Sequence, residues 1–265
     1  MLNFVGITTY SPAIAPNIAG KYQTLTKKTV KAVNDLGEDL AKYQPDTIFL
    51  ISPRGPMRYD KFTINLEKNL KGSFSKFGFM DDEEYNFQGN YYLARKILKQ
   101  LRSKHFPVES LQEEEIDYGS LVPLSFFGEK FKKKPKIISL TFNSLDSLMH
   151  YNFGKELKSI FNNTEENIAF IACGDLSQRI SDNSPAGYSP YGVKFDQSVS
   201  SYLKKNEIQG LLHLSPELCK EAGEIGLKSI IIAAGLVSDC KNDFQQFSYE
   251  SPLGSGYLVG KWKIK

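Results

Sequence analysis

Histidine and cysteine are scarce in this chain, three of each among 265 residues. Cys173, Cys219 and Cys240 are odd in number, widely spaced and free of any C-x-x-C pair. That pattern argues against a disulfide framework and a zinc ribbon, and it fits a reducing compartment. His105, His150 and His213 fall respectively in a polar segment at a helix end, a predicted helix and the apolar run GLLHLSPEL. Nothing pairs them at ligand spacing, so surface or satisfied core histidines are the expectation. Long apolar runs are missing too: the longest, residues 230–237, is far short of the roughly 20 residues that span a bilayer. The opening MLNFVGITTY has no basic leader ahead of an apolar stretch. A cytoplasmic protein without membrane insertion is expected. Charge of one sign is lacking as well, since 33 basic and 30 acidic residues leave a net +3, too weak a field to steer the chain to phosphate backbones. The densest basic run, FKKKPK at 131–136, has no interleaved aromatics and reads as a solvated loop before a strand, so no nucleic-acid partner is expected.

What is present suffices for a folded core: 41% of residues are hydrophobic and 12% aromatic. Short β-rich runs at 3–8, 47–52, 136–141, 167–173 and 256–262 alternate with longer helical patterns. Leu25, Val30, Val33, Leu36 and Leu40 make one apolar stripe, and Tyr92, Ala94, Ile97, Leu98 and Leu101 another. Residues 144–160, 193–204 and 216–222 read as further helices, while 227–237 is either a helix or a buried strand, because periodicity does not decide short apolar runs. The expected architecture is one α/β domain over residues 1–265, three-layered, with a largely parallel or mixed central sheet flanked by helices. Residues 183–192, with two prolines and two glycines, form either a long ordered loop or a lid.

Five stretches carry a resemblance. PDTIFLISPRGP (45–56) is similar to a strand ending in a Ser-Pro-His-Gly-Pro loop, with Arg54 in the histidine slot. EIDYGSLVPLSFF (115–127) resembles an Asp-His-Gly element followed by Val-Pro-Leu, with Tyr118 in the histidine slot. ACGDLSQRISDNSPAGYSPYGVKFD (172–196) resembles a Gly-Asp-Leu-Ser-His-Arg block, with Gln178 in that slot. KEAGEIGLKSIIIAAG (220–235) and SYESPLGSGYLV (248–259) follow in the same order. Together they resemble the subunit-B domain of class III extradiol ring-cleavage dioxygenases, especially the bacterial and archaeal relatives grouped with the Memo and AMMECR1 proteins.

The resemblance implies a non-haem Fe(II) held by two histidines and a carboxylate, with two further histidines as acid and base around a catechol. In this chain the first ligand slot falls at Tyr10, or at Ser11 after a shift of one residue; the second falls at Arg54; the carboxylate is Glu250. A guanidinium has no lone pair to offer a metal and repels one. The ancestral iron is therefore expected to be absent, with Tyr10, Arg54 and Glu250 as vestigial positions and no metal ligands. An ion pair between Arg54 and Glu250 in the old metal position is one expectation; a solvent-facing Glu250 is the other. Tyr118 and Gln178 stand in the acid and base slots. Glutamine does not titrate, and an ordinary tyrosine, with a pKa near ~10, is a poor base at neutral pH unless Arg54 depresses it.

Tyr10, Arg54, Tyr118, Gln178 and Glu250 are thus the candidate ligand-binding residues, and Tyr118 and Gln178 the catalytic candidates. Asp175 and Arg179 beside Gln178 read as a local ion pair or a loop-capping carboxylate. Ser177 has no histidine to activate it as a nucleophile. Glu217, Glu221 and Glu224 read as a solvated helix stripe, with Glu224 a loop or helix contact. The functional expectation is a catalytically degenerate relative that retains a pocket for a small molecule or acts through a protein partner. The alternatives are a metal-independent enzyme acting on an anionic or phenolic substrate and a divergent metal-dependent ring-cleavage dioxygenase. The resemblance also suggests a separate AMMECR1-type or radical-SAM protein as partner, and homo-oligomers.

Overall fold

The computed structural model describes residues 1–264 apart from 17, 19, 21, 78–83 and 241. Among the described residues, ten strands and eight helices of four or more residues follow one another: β1 (Leu2–Thr8), α1 (Lys27–Lys42), β2 (Thr47–Ile51), β3 (Phe62–Asn65), β4 (Asn69–Gly72), β5 (Tyr85–Gln88), α2 (Tyr91–Ser103), β6 (Val108–Leu111), α3 (Tyr118–Phe127), β7 (Lys136–Thr141), α4 (Ser147–Asn162), β8 (Ile168–Cys173), α5 (Pro190–Lys205), α6 (Ile208–Leu212), α7 (Pro216–Ala222), α8 (Leu227–Leu236), β9 (Asn242–Glu250) and β10 (Tyr257–Ile264). Eight strands make one sheet in the order β6-β3-β7-β2-β8-β1-β10-β9, and β4 and β5 pair separately. The inner run β7-β2-β8-β1 is parallel throughout, with Ile51 level with Leu140 and Ala172, and Thr8 with Cys173. Antiparallel pairings join β10 to β1 and β3 to β7, so the sheet is mixed at its flanks.

The inner strands are apolar on both faces, as a sheet covered on both sides requires. Along β2, Phe49 and Ile51 pack into one core while Ile48 and Leu50 pack into the other; Phe170 and Ala172 of β8 alternate with Ala169 and Ile171 in the same way. The first core takes in α2, α4, α5, α7 and α8, and the second takes in α1 and α3. Residues 227–236, undecided between helix and strand, are a helix buried at every position but Lys228 and packed against α4. The crossing is close because both partners carry glycine there. A Cβ on Gly154 would stand 2.1 Å from the Ile232 carbonyl oxygen, and one on Gly235 would stand 2.2 Å from that of Tyr151.

Two stripe members sit differently from the expectation. Leu25 precedes α1 and is exposed, and Tyr92 faces solvent while Leu93 turns inward. The helix of 193–204 starts three residues early, at Pro190, whose missing N–H is no loss in a first turn and which Ser189 caps. The strands β3, β4, β5, β6 and β9 and the helix α3, which contains Pro123, were not anticipated. Residues 183–189 form an ordered loop, and 190–192 are the first turn of α5. Ser184 donates to the Gly254 carbonyl at 2.8 Å, and the backbone N–H of Ser189 reaches the Arg179 carbonyl at 2.9 Å. No helix among the described residues is long and apolar enough to cross a membrane.

Candidate functional site

Because β1, β2 and β8 run parallel, the loops after Thr8, Ile51 and Cys173 gather at one edge of the sheet, outside the carboxyl ends of the strands. The first loop supplies Thr9, Tyr10 and Ser11, the second Ser52 and Arg54, and the third Asp175 and Gln178. The N-terminus of α3 adds Asp117 and Tyr118.

Tyr10, Arg54 and Tyr118 meet. The Arg54 Nη2 donates to the Tyr10 hydroxyl at 2.6 Å. Its guanidinium carbon lies 4.9 Å from the centre of the Tyr10 ring and 5.6 Å from that of Tyr118, and the two rings are 6.1 Å apart and tilted by 54°. Both rings lie within cation–π distance of the guanidinium and on the same side of it, so they form one aromatic wall beside it. Tyr10 is buried, whereas Arg54 keeps much of its surface toward an open cleft of about 420 Å³ lined by Tyr118, Phe77, Ser73, Lys76 and Glu113. Of the two residues considered for the first slot, Tyr10 faces Arg54 and Ser11 accepts from the Tyr257 hydroxyl at 2.7 Å.

Gln178 joins the cluster through Asp175. Its Nε2 reaches the Asp175 carboxylate at 3.5 Å and its Oε1 accepts from Ser255 at 3.0 Å. Asp175 also accepts from the Thr9 hydroxyl and from the Tyr10 backbone N–H at 3.3 Å. Expected as a local group, it instead ties the third loop to the first. Burial pushes its carboxyl up to about 6, against those hydrogen bonds and the charge on Arg54. Arg179 does not pair with it. That guanidinium reaches Glu221 at 3.5 Å and the Tyr188 carbonyl at 3.3 Å. Glu221 therefore leaves the expected solvated stripe, and Glu224 makes the helix contact expected of it, accepting from the Leu227 backbone N–H at 2.9 Å at the start of α8.

Asp117 is the other carboxylate that sequence reasoning left without a role. Its oxygens accept from Ser52 Oγ at 2.6 Å, the Ser120 N–H at 3.0 Å and Ser120 Oγ at 2.9 Å, which caps α3 and presents Tyr118. Burial raises its pKa. Two residues on, a Cβ on Gly119 would fall 2.2 Å from Ser52 Oγ and disturb its bond to Asp117. Arg54 does not depress Tyr118: burial outweighs the guanidinium and holds the phenol above its ordinary value. Tyr10 is raised further, again mainly by burial. Neither is a base at neutral pH.

Glu250 corrects the expected ion pair. Its Oε1 accepts from the backbone N–H of Thr29 at 2.8 Å and from the Thr29 hydroxyl at 2.6 Å, so it caps the first turn of α1 and neither meets Arg54 nor points freely to solvent. The residues in the iron slots thus do not fit that ion. One is a cation hydrogen-bonded to a tyrosine, and the carboxylate is engaged by a helix N-terminus. Among the described residues, no group of three or more histidine, cysteine, aspartate or glutamate side chains is placed to hold a metal. His150 is a buried core histidine whose Nδ1 lies 2.7 Å from the Asp146 carbonyl, and burial lowers its pKa to about 4.

A mixed sheet between two helical layers, with its loops gathered at the carboxyl ends of the parallel strands, defines a three-layer α/β protein. The family model described as "Catalytic LigB subunit of aromatic ring-opening dioxygenase" matches residues 5–260, and the chain belongs to that family. It is 28% identical over 269 residues to Protein CA_C1420 of Clostridium acetobutylicum, covering 98% of this chain; the chain spans 57% of that protein's length. It is 24% identical over 196 residues to a 3,4-dihydroxyphenylacetate 2,3-dioxygenase of Escherichia coli, covering 69% of this chain and 68% of that one. The crystal structure of uncharacterized protein JW3007 from Escherichia coli K12 shares the fold, with a TM-score of 0.69 and 16% identity over 98% of both chains.

Proposed function

We propose that this chain is a catalytically degenerate member of the ring-opening dioxygenase family, which has given up the iron site and uses the retained cleft to bind a small molecule without redox chemistry. The observation that carries the reading is the Arg54 to Tyr10 hydrogen bond of 2.6 Å, made between the two positions that resemblance assigns to ligand histidines. The engagement of Glu250 by α1 supports it from the third position. A protein partner of the AMMECR1 or radical-SAM kind belongs to the same proposal.

The test is the iron content of untagged protein purified anaerobically and equilibrated with ferrous iron, alongside oxygen uptake with catechols. Far less than one iron per chain and no uptake are expected. A stoichiometry near one that falls in Glu250→Gln would overturn the reading.

One observation favours a second reading, metal-independent acid and base chemistry on an anionic or phenolic substrate. The buried Asp175 carboxyl, pushed to about 6, lies against the backbone of Tyr10. Turnover that is lost in Asp175→Asn while ligand binding is kept would favour it.

A further inference from the structure

We propose that a second pocket, at the amino-terminal edge of the parallel strands, takes a medium-chain aliphatic carboxylic acid, with its chain inside and its carboxylate at Lys134. The pocket lies at the opposite edge of the sheet from the Arg54 cleft, so the inference stands apart from the reading above.

Ile48 and Ile137 are the second residues of β2 and β7, and with Leu124 of α3 and Phe131 they belong to the core on the α1 and α3 side. The β4–β5 hairpin comes down over this end of the sheet, where Gly89 bridges to Ile137 directly after β5. Tyr85 and Phe87, two residues apart and so on one face of β5, turn toward the same core. Their rings are nearly parallel, at 8° with centres 6.5 Å apart, and make a flat apolar wall. Between the hairpin, α3 and the start of β7 a gap of about 400 Å³ remains, the size of a small-ligand pocket, and both rings stay half-buried beside it.

The interior has little to offer a polar ligand. Ser125 Oγ donates to the Val122 carbonyl at 2.7 Å, and Asn86 Nδ2 is within 3.4 Å of the Glu84 carbonyl. A sugar or a nucleobase would lose its water there without recovering its hydrogen bonds, whereas a flexible apolar chain loses nothing. The mouth supplies the charge. Lys134 lines it, at the end of the basic run that sequence reading left as a solvated loop. Lys133 reaches Asp46 at 3.8 Å, while Lys132 and Lys134 are exposed and meet no carboxylate among the described residues. Glu84 stands on the rim as well, so the field limits the head of the ligand to one negative charge.

Octanoate, n-octylammonium and acetate separate chain from charge when titrated into the full chain labelled at isoleucine δ-methyl groups, with signals assigned through Ile→Val variants. Octanoate should shift Ile48 and Ile137 saturably and leave Ile116, which lines the Arg54 cleft, in place. Acetate should bind more than about tenfold weaker for want of the methylenes. Octylammonium should bind about threefold weaker or worse, a modest factor because the charges are exposed. Lys134→Glu, a change at an exposed position, should invert the order of octanoate and octylammonium. No saturable shift at Ile48 and Ile137, a shift at Ile116 in their place, acetate binding as well as octanoate, or an order unchanged in Lys134→Glu would each overturn the proposal.

Discussion

Replacing Glu250 with alanine removes a carboxylate from a helix N-terminus and leaves a donor pair behind. Thr29 is fully buried, and both its N–H and its hydroxyl donate to Glu250, at 2.8 and 2.6 Å. A net hydrogen bond to a charged group is worth about 1.5–3 kcal/mol. The charge at the first turn of α1 adds roughly 0.3–1 kcal/mol. Glu250 is only half-buried, so water reaches part of the gap, and the expected loss is about 2 kcal/mol. For a chain of this size that is roughly a 4–8 °C drop in Tm. Glu250→Gln keeps an acceptor oxygen and loses the charge, so about half the effect is expected. The assay is thermal and urea unfolding of metal-free protein, read by circular dichroism. If both variants unfold with the wild type, Glu250 is not the cap of α1, and its carboxylate is free for the role that family resemblance assigns it.

Asp175 gives a pH signature. Its folded pKa of about 6 stands above the 3.8 of an unperturbed aspartate, so the folded chain holds the extra proton between those values. The stabilisation from this group is fully present below about pH 4 and lost as pH rises to about 6, a change of about 3 kcal/mol. Asp175→Asn should remove that part of the slope, while Asp196, raised by burial to about 7, keeps a slope of the same sign; urea midpoints across pH 4 to 7 check it. Gly154→Ala drives a Cβ into the Ile232 carbonyl at 2.1 Å, where backbone must move, and should cost about 3 kcal/mol in unfolding experiments.

Much of the fold was legible because the signals were long. The five strands expected from β-rich runs all form, within two residues of their expected ends, and the helical stripes of α1 and α2 persist once Leu25 and Tyr92 are set aside. The rest was hidden for definite reasons. β3, β4, β5 and β6 are four residues each, too short for a period to show, and in α3 a proline and apolar residues on every side erase the helical pattern. The largely apolar 227–236 run became a helix because Gly154 and Gly235 let it lie against α4, a contact between segments about 80 residues apart.

At the site, the sequence by itself determined which chemistries are open. Residue type alone places a cation at Arg54, a group that does not titrate at Gln178 and phenols at Tyr10 and Tyr118, whatever the fold does with them. The tertiary structure decided which of these meet. It brought Tyr10, Arg54 and Tyr118 together because parallel strands end at one edge, and it made Asp175 the tie between loops because its buried oxygens take Thr9, Tyr10 and Gln178 as partners. It also turned Glu250 away from Arg54, because the unsatisfied N–H at the start of α1, more than 220 residues earlier in the chain, was the donor within reach. Charge and hydrogen-bonding capacity belong to the residue, but pairing depends on distances that only the folded chain sets.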